Sequence, residues 1–419
     1  MPSIQVIGGE KLQGQLKIQG SKNGSLPILA ATILNKGTTI LRNCPKIIDV
    51  YNMIFILKEL GCKATWEDEV LIIDAKDVNS TNVSQEFVKK MRSSVLFLGA
   101  LLGRFKEVSI SYPGGCSIGS RPIDLHLESF EQMNVQEIVE NDMNTIKCKT
   151  DEIIGNSINL RFPSVGATQN IILAAVLATG TTNIINAARE PEIDELCHFL
   201  NLAGANIKGI GRSRIIIKGV EKLHDIDYTI TADRIVAGTY MAAIAITLGD
   251  AVLLSAPTKH LKSTIKVFKK LGCKIDIDNE CLRIRSNNKP KAINEIITKP
   301  YPGFPTDMQS QLMSLLCISD GKSIINEQIF ESRFQNVYEL NKMGAKLTIK
   351  DFNKVEINGV KRLKAANLEA HDLRGGAALV IAALSAEGES NIENISLIER
   401  GYVDIVSDLQ TLGANIKYY

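Results

Sequence analysis

Cys116 stands in the run YPGGCSIGSRP at 112–122, with Arg121 five residues further on. The thiolate is the reactive form of cysteine, and a nearby guanidinium lowers the thiol pKa. The density of glycine and proline argues for an exposed loop, so a reactive thiol is expected here rather than the usual small buried hydrophobe. Residues 115–119 also match GxSxG, but a nucleophile elbow needs a helix directly after its serine. Gly119, Ser120 and Pro122 intervene, so serine hydrolase chemistry is set aside.

The second chemical signal is arginine. Only 15 of the 48 basic residues are arginine, and they recur in particular places. Lys22, Arg92, Thr168, Arg234, Asp307 and Arg374 each precede, by 11 to 15 residues, a glycine that closes an apolar run. Arg121, Arg189, Arg333 and Arg400 precede a second set of closing Gly or Asn residues by the same interval. A helix N-terminus exposes unpaired N–H groups and the positive end of the helix dipole, so cations there are disfavoured unless an anion is bound. A salt bridge to a neighbouring carboxylate explains any one such arginine. Recurrence in one slot favours a bound anion for the group. Asp307, behind the rigid PGFP segment at 302–305, is the candidate general base, with helix capping as its plain alternative.

An internal repeat must position these groups. Gly61, Asn134, Gly204, Gly272, Gly344 and Gly413 follow apolar helical runs at intervals of 73, 70, 68, 72 and 69 residues. Gly or Asn suits the left-handed residue that caps a helix C-terminus. Each of the six units reads helix, strand, helix, strand, strand. The first helix is apolar all round, as in AGTYMAAIAITLG, and belongs in a core; the second mixes in charge. Gly37, Gly103, Gly180, Gly249, Gly321 and Gly388 are expected to end the first helices. The sixth unit lacks a partner strand and the N-terminus supplies an orphan pair, IQVIGG and GQLKIQG, so the chain ends are expected to meet. One domain is then residues 22–229 and the other 1–21 with 230–419, and two crossings imply a hinge and a cleft.

Composition sets the outer bounds. With 419 residues, 45% hydrophobic and 22% charged, the chain can bury a large core, and a net charge of +2 gives no general pull toward nucleic acid. No apolar stretch approaches the ~20 residues of a membrane span. MPSIQVIGGE has no secretory leader, so the cytoplasm is expected. The eight cysteines have no zinc-ligand spacing and read as reduced, mostly core thiols; no metal and no cofactor is expected. Gly321-Lys322-Ser323 lacks the earlier glycine of a P-loop.

The stretches GSKNG at 20–24, MRS at 91–93, PGGCSIG at 113–119, RP at 121–122, SVGAT at 164–168, ADR at 232–234, YPGFPTD at 301–307, ESR at 331–333 and DLR at 372–374 resemble the UDP-N-acetylglucosamine 1-carboxyvinyltransferase family of enolpyruvyl transferases. The resemblance runs from Ile7 to Arg400. It implies an α/β fold of two inside-out barrels, each of three units, around a deep cleft. It also implies transfer of the enolpyruvyl group of phosphoenolpyruvate to the 3-hydroxyl of UDP-N-acetylglucosamine, the first committed step of bacterial peptidoglycan synthesis. On that resemblance Lys22, Asn23, Arg121, Arg333, Arg374 and Arg400 hold phosphoenolpyruvate. Asn23, Arg92, Arg121, Pro122, Ile123, Asp124, Leu125, Ser164, Val165, Gly166, Asp307 and Ile329 hold the nucleotide sugar. Cys116 donates a proton and can carry a phospholactoyl adduct, Asp307 is the base, Lys22 and Arg400 assist, and Asp372 orients Lys22. Ser164 follows Phe162-Pro163, where some relatives carry a lysine nearby. His126 is read as a solvated helix residue, with a place in the uracil pocket as its alternative. A monomer is favoured. Two rivals are a 5-enolpyruvylshikimate-3-phosphate synthase, which as a family lacks the cysteine loop, and a non-enzymatic repeat clamp, which needs a lysine-lined pore.

Overall fold

The computed structural model describes residues 2–112, 119, 122–138 and 145–419; Cys116 and Arg121 lie outside these. Six four-stranded sheets carry the repeat. In the second repeat Glu107–Ser111, the strand after the first helix, pairs antiparallel with Thr145–Lys149, which pairs antiparallel with Gln136–Ile138. Its other edge is filled in parallel by Asn82–Val83, the tail of the repeat before it. Ser157–Asn159 does the same for the third repeat. Ile226–Thr229, the tail of the third, fills the edge beside Thr38–Arg42 of the first, so the three repeats close on themselves.

The later three repeats close by using the N-terminus. Glu389–Glu393 of the sixth repeat takes Asn367–Glu369 in parallel and Ile4–Ile7 antiparallel, and Ile4–Ile7 holds Asn415–Tyr418. The ends are clasped by Ser3 N to Tyr419 O at 3.1 Å and Tyr419 N to Ser3 O at 2.9 Å. The second N-terminal strand departs from the expected meeting: Gln13–Lys17 pairs in parallel with Asp250–Leu254 of the fourth repeat. The first residues complete the sixth repeat, and its tail must supply the next repeat's edge, as every other tail does. By compactness, residues 2–19 with 232–419 form one unit; 20–112, 122–138 and 145–231 belong to the other.

The apolar first helices, including Leu96–Phe105, Val165–Ala175, Arg234–Ile246 and Leu373–Leu384, form the two cores. Side-chain caps set where four of the six begin: Ser21 accepts from Gly24 N, Ser164 from Ala167 N, Asp233 from Ile235 N and Val236 N, and Asp372 from Arg374 N and Gly375 N. All six second-helix closers adopt the left-handed conformation, with φ from 67° at Asn134 to 105° at Gly61. Gly103 differs from the expected role. Its helix runs on to Phe105 and Lys106 takes the left-handed position at φ 64°. Gly99 and Gly103 instead permit close helix approach: a Cβ on Gly99 would lie 2.3 Å from Asn170 O, and one on Gly103 2.7 Å from Leu173 O. No helix among the described residues is long and apolar enough to cross a membrane.

These two kinds of glycine predict different losses. Gly99→Ala must push two core helices apart and should cost about 1–3 kcal/mol. Gly344→Ala meets nothing within 4 Å and bears only left-handed strain at φ 80°, about 1 kcal/mol. Urea denaturation should rank Gly99→Ala below Gly344→Ala.

Candidate active site

In the unit containing residues 232–419, Asp307 lies in the short turn Thr306–Met308 that leads into Gln309–Leu316. Its two carboxylate oxygens receive two guanidiniums: Arg333 Nη2 at 2.8 Å and Arg374 Nη2 at 3.2 Å. The arginine side chains are 2% and 4% exposed and Asp307 is 26% exposed, so the carboxylate is the face of a buried cationic pair. Burial alone would raise the Asp307 carboxyl, but Arg374, Arg333 and Arg234 overcome it and hold the carboxyl well below the usual carboxylate range.

The support behind this pair is polar and continuous. Arg333 Nη1 donates to Thr306 Oγ1 at 2.7 Å, and Thr306 donates to Glu327 Oε2 at 2.9 Å. The buried Glu327 also accepts from Thr298 Oγ1 and from the Ile329 and Phe330 N–H groups, which fixes the segment around Ile329. On the other side Tyr402 hydrogen-bonds Arg374 and lies 2.8 Å from Thr239 Oγ1. Thr239 donates to Ile235 O and accepts from Gln311 Nε2, which leaves Tyr402 as donor to Thr239 and acceptor from Arg374. Arg333 Nε and Arg374 Nη1 are buried without an acceptor among the described residues. Asp372 spends one carboxylate oxygen on capping the helix that carries Arg374. Arg400 is half-buried in the turns between Ile395–Leu397 and Ile405–Thr411.

In the other unit, Lys22 opens the helix Lys22–Ala31 and its Nζ lies 2.7 Å from Asp49 Oδ2, both side chains almost fully buried. Asp49 comes from the first turn of Ile48–Glu59. Asn23, next along, is half-buried. Arg92 begins the turn Arg92–Val95, and its Nη2 reaches Pro122 O at 3.4 Å, which ties it to the 122–125 segment. Ile123 is buried, and Asp124 and Leu125 begin the helix Asp124–Glu131. The Asp124 and Glu128 carboxylates are both engaged by Arg161, ahead of the exposed Phe162. Ser164 caps the helix in which Val165, Gly166 and Thr168 form the first turn.

Three expectations are corrected. His126 is not solvated: it is 5% exposed, because Asp124–Glu131 packs that face on the start of Val165–Ala175. Arg189 is exposed and spends Nε on Gly211 O at 3.2 Å, so it is a surface residue outside either cluster. Arg333 and Arg400 precede their second helices by three and five residues, because Asn336–Lys342 and Ile405–Thr411 are only seven residues long. Asp49, Glu327, Tyr402 and Thr306 were missed from sequence, since their spacing carries no pattern; only the buried carboxylates at 49 and 327 mark them, and burial is a tertiary fact. Cys116 and Arg121 lie outside the described residues.

Known proteins resemble this chain over its whole length. The family EPSP synthase (3-phosphoshikimate 1-carboxyvinyltransferase) matches residues 6–409. The UDP-N-acetylglucosamine 1-carboxyvinyltransferase 2 of Caldanaerobacter subterraneus subsp. tengcongensis is 46% identical over 416 residues, covering 99% of both chains. The UDP-N-acetylglucosamine 1-carboxyvinyltransferase of Finegoldia magna is 44% identical and covers 100% of this chain and 99% of its own. Among solved structures, the enolpyruvyl transferase NikO from Streptomyces tendae aligns with a TM-score of 0.89 at 23% identity over 100% of this chain and 98% of that one. EPSP synthase from Acinetobacter baumannii aligns at 0.78 and 17% over the full length of both. At such identities the structural likeness speaks for the enolpyruvyl transferase fold, and the whole-length sequence identities speak for the family. The chain belongs to the UDP-N-acetylglucosamine 1-carboxyvinyltransferase branch of the EPSP synthase family.

Proposed function

We propose that this transferase moves the enolpyruvyl group of phosphoenolpyruvate onto the 3-hydroxyl of UDP-N-acetylglucosamine and releases phosphate, opening peptidoglycan synthesis as a cytoplasmic, monomeric enzyme. The observation that carries the reading is the 46% and 44% identity, over essentially the whole chain, with relatives named for that reaction. Buried arginines with unspent donors support it, because both substrates are polyanions. Lys22, Asn23, Arg121, Arg333, Arg374 and Arg400 would take the phosphate and carboxylate of phosphoenolpyruvate. Arg92, Pro122, Ile123, Asp124, Leu125, Ser164, Val165, Gly166 and Ile329 would take the nucleotide sugar.

Cys116 would deliver its thiol proton to the methylene carbon, which makes C2 electrophilic; addition of the resulting thiolate to the phosphate-bearing C2 gives the phospholactoyl adduct as a side state. The sugar oxygen adds to C2 while Asp307 takes its proton. Loss of phosphate from C2, which carries off the proton taken up by Asp307, and return of one methyl proton to the Cys116 thiolate restore the double bond, so atoms and charge balance. Bound to Arg333 and Arg374, the resting Asp307 is a poor base. A substrate anion that draws on the same guanidiniums shares their charge and raises the carboxylate's proton affinity, so its basicity arrives with the ligand.

A phosphate-release assay with phosphoenolpyruvate tests the reading. Turnover is expected with UDP-N-acetylglucosamine and not with shikimate 3-phosphate; the reverse preference would overturn it in favour of the sister synthase. Cys116→Ala should abolish turnover, and the epoxide phosphonate fosfomycin should label Cys116 as located by mass spectrometry. Cys44, Cys62 and Cys148 are buried with thiols pushed up to about 12, and Cys197, Cys273 and Cys317 are buried too, so a label on any of them would count against the assignment. Cys116→Asp, which keeps a proton donor, should retain part of the activity.

Asp307→Asn keeps the shape of the carboxylate and removes its basicity. kcat should fall at least ~100-fold while nucleotide-sugar affinity changes far less. Since the folded carboxyl is depressed, it is already ionised wherever the free enzyme works, and its protonation should not set the acid limb of kcat/KM. Near-normal kcat with a greatly raised dissociation constant would reduce Asp307 to a binding residue.

A further inference from the structure

Lys262–Lys270, the second helix of the fourth repeat, contains no acidic residue. Thr264, Ile265 and Phe268 are its buried face, while Lys262, Lys266 and Lys270 stand on successive turns, about 12 Å from first to last. All three lysines are exposed, and none has a carboxylate partner among the described residues. Like charges at that spacing repel, and Lys262 also opposes the positive end of the helix dipole. Exposed lysines elsewhere are neutralised locally, Lys63 by Asp77, Lys90 by Glu86 and Lys322 by Glu356.

The three unneutralised lysines line a groove of about 430 Å³, a volume within the usual range of small-molecule sites. Val267, Ile293, Ile296, Ile297 and Phe304 make the rest of it largely apolar. Glu295, the single carboxylate among the described lining residues, is held by Asn326 Nδ2 at 3.1 Å. The groove is therefore amphipathic, with a cationic rail beside an apolar wall.

Pro302, Gly303 and Phe304 also line this groove, and the same segment runs on into Asp307. Lys299 N donates to Phe304 O at 3.1 Å and Gly303 N to Pro300 O at 2.9 Å, so residues 299–304 form a closed turn. Both flanks of the turn are tied to one buried carboxylate: Thr298 Oγ1 donates to Glu327 Oε1 at 2.8 Å, and Thr306 Oγ1 to Glu327 Oε2 at 2.9 Å. Thr306 in turn receives Arg333 Nη1, so the setting of this turn is also the setting of the Asp307 pair.

We propose that the groove between Lys262–Lys270 and residues 293–304 is an effector site for a small amphipathic anion, an apolar body bearing a phosphate monoester or a carboxylate. The lysines take the charged head, which ammonium groups on flexible stems do for either group, and the isoleucines with Phe304 take the apolar body. A ligand spanning helix and turn favours the setting observed here, in which Asp307 is bound by two guanidiniums and is a poor base, so occupancy lowers kcat. The binding site stands independently of the proposed function; the effect on kcat rests on Asp307 as the base.

The test uses the intact protein with decyl phosphate below its micellar concentration, decanoate and butyl phosphate. Calorimetry should show decyl phosphate and decanoate binding, with butyl phosphate at least about 10-fold weaker because it buries fewer methylenes. Lys266→Gln combined with Lys270→Gln, at two exposed positions, should weaken decyl phosphate at least about 10-fold and leave turnover without it within about twofold of the parent. Equal affinity in the parent and the double variant, or affinity independent of chain length, overturns the site. Inhibition by decyl phosphate should be noncompetitive with both substrates. Competition with phosphoenolpyruvate would put the anion on the arginines around Asp307 and overturn the proposal, as would binding to anionic phospholipid vesicles with none to free decyl phosphate. Lysine-dependent binding with kcat unchanged at saturation overturns the effector role. Asp307→Asn should bind decyl phosphate as the parent does; near-normal kcat in that variant would sink Asp307 as the base and leave the groove standing.

Discussion

Each of the six four-stranded sheets borrows one edge strand from the repeat before it. A parallel edge partner for the strand after each first helix has to come from the repeat before, because a parallel neighbour cannot be reached through a tight hairpin. That constraint makes the repeats interdependent and forces each set of three to close on itself. It also explains why residues 4–17 leave the N-terminus as two strands in different sheets: they finish the sixth repeat and open the fourth. The domain is continuous as a fold although discontinuous as a chain.

Closure in turn gathers the first helices of each unit in its core, where an all-round apolar surface is required. Such helices can carry charge only at their ends. Lys22, Arg234, Arg374 and Asp307 all occupy or adjoin first turns, so packing the apolar helices also collects the charges. The cations there oppose the helix dipole, and the carboxylates of Asp49 and Asp307 offset that cost in the resting protein. These pairs are partly buried, so removing one member leaves an uncompensated charge, a larger penalty than a surface pair carries.

Asp307 shows how the same contact serves both states. Two guanidiniums keep it ionised and correctly aimed, yet they weaken it as a base until an anion shares their charge. His126 follows the opposite logic: burial keeps it uncharged, and one amide, that of Asn170, decides which nitrogen holds the proton. In each case the protonation state of the group is set by its surroundings and a neighbour whose own geometry is fixed by further hydrogen bonds, Glu327 and Thr306 behind Arg333, and Gly99 behind Asn170.

The period of about seventy residues, the apolar helices and the left-handed closers were legible in the sequence, since each depends on residue type at a short local spacing. So were Lys22, Asp307, Arg333 and Arg374, because charge at the head of an apolar run is anomalous wherever it occurs. The arginine slots also misled: Arg189 shares the spacing, but its guanidinium goes to the Gly211 carbonyl at the surface. Gly103 looked like a helix stop because a glycine after an apolar run usually is one, while its actual reason is the carbonyl of Leu173 in another repeat. Pairing partners were beyond reach for the same reason. That Asp49 meets Lys22, that Glu327 braces Thr306, and that Asn170 turns His126 into an Nε2–H donor are contacts between residues 21 to 44 positions apart, and only the folding of a repeat, or for His126 the packing of two, brings them within hydrogen-bond range.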